Sequence, residues 1–271
     1  MKTNRIEAYL DFLFPNPKCE LVYNKDYELL IAVVLSAQST DKRVNSVTPI
    51  IFNKYPTLDM LKEANLIDLE NIIRPVGSYR KKAFYVKEIA TLVSNEYDGI
   101  VPTDRSVLES FPGVGRKTVN VFLSEFYDIP AIAVDTHVER VSKRLKLANM
   151  NDDVRKIELK LQKKFKKEVW GRRHLQLVLF GRYYCKAIRP LCSSCELKDI
   201  CREKKKNLWW FFFYGVIIAG VSLGVGVGVS SGSVGVVGAL GVGVGDSSGS
   251  FFSGSFSFSN VYVAASLWIP L

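Results

Sequence analysis

The first 206 residues of this 271-residue chain predict an all-α fold. Three observations lead there: apolar residues recur at three- and four-residue spacing, short breaks carrying Pro, Gly, Asn or Asp separate those stretches, and no segment shows a convincing apolar–polar alternation. Roughly ten short helices would bury such apolar stripes against one another.

Taken in order, Ile6, Tyr9, Leu10 and Leu13 share one helix face that stops before Pro15, with Asn4 and Glu7 at the spacing of a capping box. Asp41 to Phe52 reads as a helix that Pro49 would bend. Ala83, Val86, Ile89, Ala90 and Val93 form a stripe after Ser78, and Thr136 to Leu145 forms a helix opened by Asp135. Ile157 and Leu161, then Leu175, Val178 and Leu179, mark two further stripes. The breaks fall at Asn16-Pro17, Pro75 to Gly77, Asp98-Gly99, Pro112 to Gly115, Asp128 to Pro130 and Asn149 to Asp152.

Composition bounds the function. A hydrophobic content of 48% is ample for one large or two small domains. All 37 Lys and Arg and 26 of the 27 Asp and Glu lie in residues 1–206, which therefore carry a net charge of +11. That surplus suits a polyanionic partner such as nucleic acid, although a solvated basic surface would carry the same charge. No apolar signal segment precedes the first helix, so residues 1–206 read as cytoplasmic, with their cysteines as reduced thiols or metal ligands.

Residues 207–271 have a different composition: no Lys or Arg, one acidic residue (Asp246) and thirteen of the nineteen glycines. Leu208 to Val229 carries no charge and follows Lys204-Lys205-Lys206, which meets the length and flank criteria for a membrane span. The remainder is Gly-Val and Ser-Gly-Phe low complexity without a repeat period. The tail reads first as an appended or read-through segment outside the fold, and second as a membrane tether through 208–229.

The chemistry concentrates between Leu108 and Asp135. Phe111-Pro-Gly113-Val-Gly115-Arg116 is a turn between two helices in which glycines permit positive φ and leave no Cβ in the way, so N–H groups at the start of the next helix can face a phosphate. Such contacts fix a protein on a duplex without reading its sequence. Lys117 falls in the first helical turn, where the macrodipole and Arg116 disfavour an ammonium and partial burial would act in the same direction. A neutral amine there is a nucleophile able to form a Schiff base; the alternative is an ordinary phosphate-contacting lysine. Asp135 has the position of a helix N-cap, and as a functional group it would take a proton from the amine or stabilise positive charge on a sugar ring. His137 reads as a surface or packing residue.

A second constellation is Cys185, Cys192, Cys195 and Cys201, a C-x6-C-x2-C-x5-C run. Four thiols so close in an intracellular chain imply one tetrathiolate site, either zinc or an iron–sulfur cluster. Lys186 and Arg189, in the loop between the first two, are two cations available to phosphate. Cys19 reads as an incidental or buried thiol.

The hairpin Phe111 to Thr118, the run Val134-Asp135-Thr136-His137 and the cysteine spacing resemble the bacterial endonuclease III family of helix-hairpin-helix DNA glycosylases and abasic-site lyases. The likeness extends to Leu35-Ser-Ala-Gln38-Ser-Thr-Asp41 and Val76-Gly-Ser78-Tyr79-Arg80, and spans about residues 1–206. It implies a six-helix domain over 21–129 and a second helical domain from 1–20 plus 130–206 carrying a 4Fe-4S cluster on the four cysteines. It implies that Lys117 is the nucleophile, Asp135 its activating carboxylate, and Gln38 the residue filling the gap left by an extruded base, with further DNA contacts from Ser78, Tyr79, Gly113, Gly115 and Arg116. The partner would be double-stranded DNA with oxidised pyrimidines or abasic sites, bound by a nucleoid-associated monomer. Ser78 stands where the family commonly places a bulky apolar wedge, so Tyr79 or Arg80 would have to substitute. Two other readings are an adenine-mismatch glycosylase, which lacks lysine at the Lys117 position, and a non-catalytic DNA-binding module with a metal site.

Overall fold

A computed structural model describes residues 2–203. Within them the chain forms eleven α-helices and no strand: α1 (Lys2–Leu13), α2 (Asp26–Ser36), α3 (Asp41–Lys54), α4 (Leu58–Lys62), α5 (Leu66–Ile73), α6 (Tyr79–Glu96), α7 (Arg105–Ser110), α8 (Arg116–Phe126), α9 (Thr136–Arg144), α10 (Val154–Lys164) and α11 (Trp170–Leu179). A π-helical turn, Phe180–Tyr184, continues α11 toward the cysteines. The tail 207–271, with its span over 208–229, lies outside the described residues. No helix among the described residues is long and apolar enough to cross a membrane.

Each of the six expected breaks falls between helices, and Pro49 sits inside α3. One start differs. The helix already runs from Lys2, so Asn4 lies inside it, and Glu7 reaches Arg173 at 3.3 Å instead of completing a capping box.

The buried apolar side chains form two clusters. One gathers Leu21, α2 and residues from α3 to α8 as far as Leu123. The other gathers Ile6, Tyr9 and Leu10 of α1 with Ile132, Val134 and residues of α9, α10 and α11 up to Leu197. At the centre of the first, Leu29 to Leu35 are all at most 6% exposed. Because α2 is apolar on every face it shows no stripe in sequence; its start is secured by buried Glu28, whose Oε2 accepts from the backbone N–H of Asn24 (2.7 Å) and Lys25 (3.3 Å). Arg173, only 7% exposed at its side chain, joins α11 to α1 through Asp11 at 2.6 and 2.9 Å. Gln176 adds bonds to the Phe14 carbonyl (2.9 Å) and Asp11 (3.0 Å).

Candidate active site

The turn after α7 is held by the Val114 N–H donating to the Phe111 carbonyl at 3.1 Å. Gly113 has φ +77°, and a Cβ there would lie 2.4 Å from the Tyr85 ring, so both conformation and space exclude a side chain. Gly115 differs from expectation: its φ is −111° and nothing lies within 4 Å of a would-be Cβ, so the turn does not need glycine there for conformation. What Gly115 contributes is bare backbone at the mouth of α8, where the first N–H groups lack intrahelical partners.

Arg116 opens α8. Its guanidinium grips Glu158 of α10 in a two-pronged bond, Nε to Oε2 at 2.9 Å and Nη2 to Oε1 at 2.7 Å. The Glu158 side chain is 4% exposed. Burial would raise its carboxyl, but Arg116 and Arg155 overcome this and hold it below the ordinary value. The guanidinium joins α8 to α10, while the Arg116 side chain remains 40% exposed.

Lys117 is exposed rather than partly buried, on the wall of an open cleft of ≈ 500 Å³. Asp135 lines the same cleft, and its Oδ1 caps α9 by accepting from the Val138 N–H at 2.7 Å. Gln38 lines it from the end of α2, with a left-handed φ of 55°. His137, half-buried, also faces the cleft; its Nδ1 lies 3.2 Å from Arg140, and its Cβ packs so near Gly181 that a Cβ on the glycine would approach it within 2.8 Å. Cys19 is a further lining residue whose thiol burial pushes up to about 12.

Several lining groups carried no signal in the sequence. His174 of α11 is 6% exposed, and its Nδ1 is buried without a hydrogen-bond partner among the described residues. Burial pushes its pKa down, with the Asp135 carboxylate opposing and Lys117 adding to the fall, so the imidazole is neutral near pH 7. Arg182, from the π-helical turn, bonds Asp41 at 2.7 Å and also pairs with Glu20, closing one end of the cleft. A histidine on an apolar helix face and ordinary surface charges look alike in sequence, and only packing aims them inward.

Ser78, Tyr79, Lys186 and Arg189 are not in the cleft lining. Ser78 is the exposed N-cap of α6 at φ 57°, and Arg80 lies over the Tyr79 ring at 5.5 Å. Lys186 and Arg189 stand exposed on the loop after Cys185.

The four cysteines face one small apolar cavity with Leu145, Phe180 and Leu191. Arg144 tethers the loop: its Nη1 lies 3.4 Å from Cys185 Sγ and 2.7 Å from the Lys186 carbonyl, and its Nη2 pairs with Glu203 at 2.5 Å. Arg140 donates to the carbonyls of Cys185 (3.1 Å) and Gly181 (2.7 Å). No three His, Cys, Asp or Glu groups among the described residues converge closely enough to hold a metal ion.

A hairpin opening on a lysine-bearing helix, with a carboxylate lining the same cleft, defines a helix-hairpin-helix site. Residues 31–167 match the family described as HhH-GPD superfamily base excision DNA repair protein. Endonuclease III of Bacillus subtilis (strain 168) is 44% identical over 210 residues, 76% of this chain and 96% of that protein; the Escherichia coli K12 enzyme is 40% identical over 192 residues, 71% and 90%. Among solved structures, a trapped covalent endonuclease III–DNA intermediate (46% identity) and a non-covalent endonuclease III–DNA complex (47%) each give a TM-score of 0.72, covering 76% of this chain and 98% of theirs. A thermostable thymine-DNA glycosylase shares the fold at 21% identity and a TM-score of 0.67. The chain belongs to the endonuclease III family of the HhH-GPD superfamily.

Proposed function

We propose that this protein removes oxidised pyrimidines from double-stranded DNA and cleaves the resulting abasic site by β-elimination. The observation that carries the reading is the placement of Lys117, Asp135 and Gln38 on one open cleft. A nucleotide turned out of the duplex enters that cleft, and Gln38 fills the space it leaves. The neutral Lys117 amine attacks C1′, the glycosidic bond breaks, and the base leaves with the bonding electrons and takes up a proton. The amine gives up a proton toward Asp135 or water, and the sugar ring opens to an imine between Nζ and C1′. Loss of a C2′ proton then expels the 3′ phosphate. Asp135, already held by the Val138 N–H, needs no reorganisation to stabilise the developing positive charge.

The backbone at Gly113 and Gly115, with Tyr79, Ser78, Lys186 and Arg189, supplies phosphate contacts; the exposure of the charged pair supports this. Cys185, Cys192, Cys195 and Cys201 hold a 4Fe-4S cluster, a reading supported by the four thiols lining one apolar cavity. When bound, the cluster pins the Cys185–Cys201 loop and with it Lys186 and Arg189. The two apolar clusters support a division into lobes 21–129 and 1–20 plus 130–206 around the cleft. We place the protein in the cytoplasm as a monomer acting on the chromosome.

Borohydride trapping on a duplex with an abasic site tests the chemistry. A covalent adduct forms with the intact protein and is absent in Lys117→Ala; an undiminished adduct in that variant would overturn the assignment of Lys117.

A further inference from the structure

Lys82 plays no part in the chemistry above, yet it is 5% exposed and its ammonium is held in the interior. Its Nζ donates to the carbonyls of Leu35 (2.9 Å) and Ala37 (2.5 Å), at the end of α2. The last carbonyls of a helix have no intrahelical donors. At α2 the Val34 carbonyl takes the Ala37 N–H, the Ser36 carbonyl takes the Ser39 N–H, and Lys82 takes the other two, placing a cation at the negative end of the helix dipole. The same residue reaches the second turn through its backbone, its N–H donating to the Ser78 carbonyl at 3.1 Å.

Both turns are held in an unusual backbone state. Gln38 and Ser78 are non-glycine residues at φ 55° and 57°, a region that persists only where surrounding structure enforces it. They are also close: a Cβ on Gly77 would come within 3.6 Å of the Gln38 carbonyl. Serine at 78 offers little side chain of its own, so what this turn presents to a duplex is set by its backbone and by Tyr79 and Arg80 beside it.

We infer that Lys82 is a positioning residue that clamps the Gln38 and Ser78 turns into one preformed DNA-facing edge. This rests on the reading of Gln38 as the residue that fills the gap. Removing the ammonium frees two carbonyls at the root of the Gln38 turn and lets the turns move apart, while the wall carrying Lys117 and Asp135, on α8 and α9, is untouched.

The test uses the full-length cluster-loaded protein, with Lys82→Met retaining the buried stem without its donors. Three quantities are measured: single-turnover base release from a duplex with an oxidised pyrimidine, β-elimination at an abasic site in a single-stranded oligonucleotide, where there is no gap to fill, and fluorescence of 2-aminopurine next to the lesion. We expect duplex base release to slow about tenfold, the scale of one lost charge-assisted hydrogen bond, with a weaker 2-aminopurine rise. Single-strand cleavage stays within about twofold, since the reacting groups are unchanged. Lys82→Arg, which keeps a cation, recovers part of the duplex rate. Equal losses in duplex and single-strand reactions, or no loss in either, overturn the proposal. Gln38→Ala separates the two levels: if it leaves duplex base release unchanged, the reading of Gln38 fails and the proposal with it; if it slows release while Lys82→Met does not, the clamp alone is wrong.

Discussion

Asn120 ties the helix that carries Lys117 to the segment that carries Asp135. Its Nδ2 donates to the Ile132 carbonyl at 2.9 Å while its Oδ1 accepts from Arg105 at 2.7 Å. Asn120 is 2% and Ile132 0% exposed. The spacing of the two cleft residues is thus set by a bond in the interior, not by the exposed side chains themselves. Asn120→Leu leaves the Ile132 carbonyl and the Arg105 guanidinium without their partner. It should cost about 1–3 kcal/mol in urea unfolding, and single-turnover base release should fall even at temperatures where the variant is fully folded. Unchanged base release in the folded variant would show that the spacing does not depend on this bond.

Asp135 combines a structural and a chemical role that one substitution can separate. In Asp135→Asn the amide oxygen can still accept from the Val138 N–H, so the helix cap survives and the melting temperature should move by only a few degrees. The charge is gone, and base release should drop by roughly 10²–10⁴-fold, the range of a lost acid–base group. Asp135→Ala should lose the cap as well and melt lower than Asp135→Asn.

The contact between α1 and α11 should be acid-sensitive. Hydrogen bonding to Arg173 holds the Asp11 carboxyl down at about 2 against an ordinary 3.8, with Gln176 and Arg172 adding to the effect. A carboxyl lowered in the folded state contributes stability that is complete above the unfolded value, near pH 4, and is lost as pH falls toward 2. The difference in urea midpoint between wild type and Asp11→Asn should therefore be constant from neutral pH to about pH 5 and shrink below pH 4. A difference independent of pH down to 2 would remove Asp11 as its source.

Cysteine replacement checks the metal centre. Cys192→Ser should lower bound iron and sulfide together and loosen the loop carrying Lys186 and Arg189, so DNA affinity should weaken with a shallower salt dependence. Zinc in place of iron, at one equivalent per chain, would replace the cluster by a single-ion site.

Much of this architecture was legible in the sequence because it is written in local chemistry. Pro-Gly and Asn-Pro pairs break helices wherever they occur, and stripes such as Ala83 to Val93 mark a face whatever it packs against. The hairpin and the cysteine run are contiguous, so their order survives in one dimension. α2 was less visible: burial on all sides removes the periodicity that reveals a helix.

What the sequence by itself determined was the helical class, the breaks, the tail of different composition and the residues able to do the chemistry. Only the tertiary structure decided which charges pair within the protein and which groups line the cleft. Arg116 sits beside Lys117 in the chain but spends its guanidinium on Glu158, 42 positions away. His174 and Arg182 reach the cleft from α11 and the turn after it, and Lys82 reaches back 45 positions to the Ala37 carbonyl. The physical reason is desolvation: a buried charge or unpaired carbonyl is costly enough to claim whatever partner the fold brings near, and local sequence does not encode that proximity.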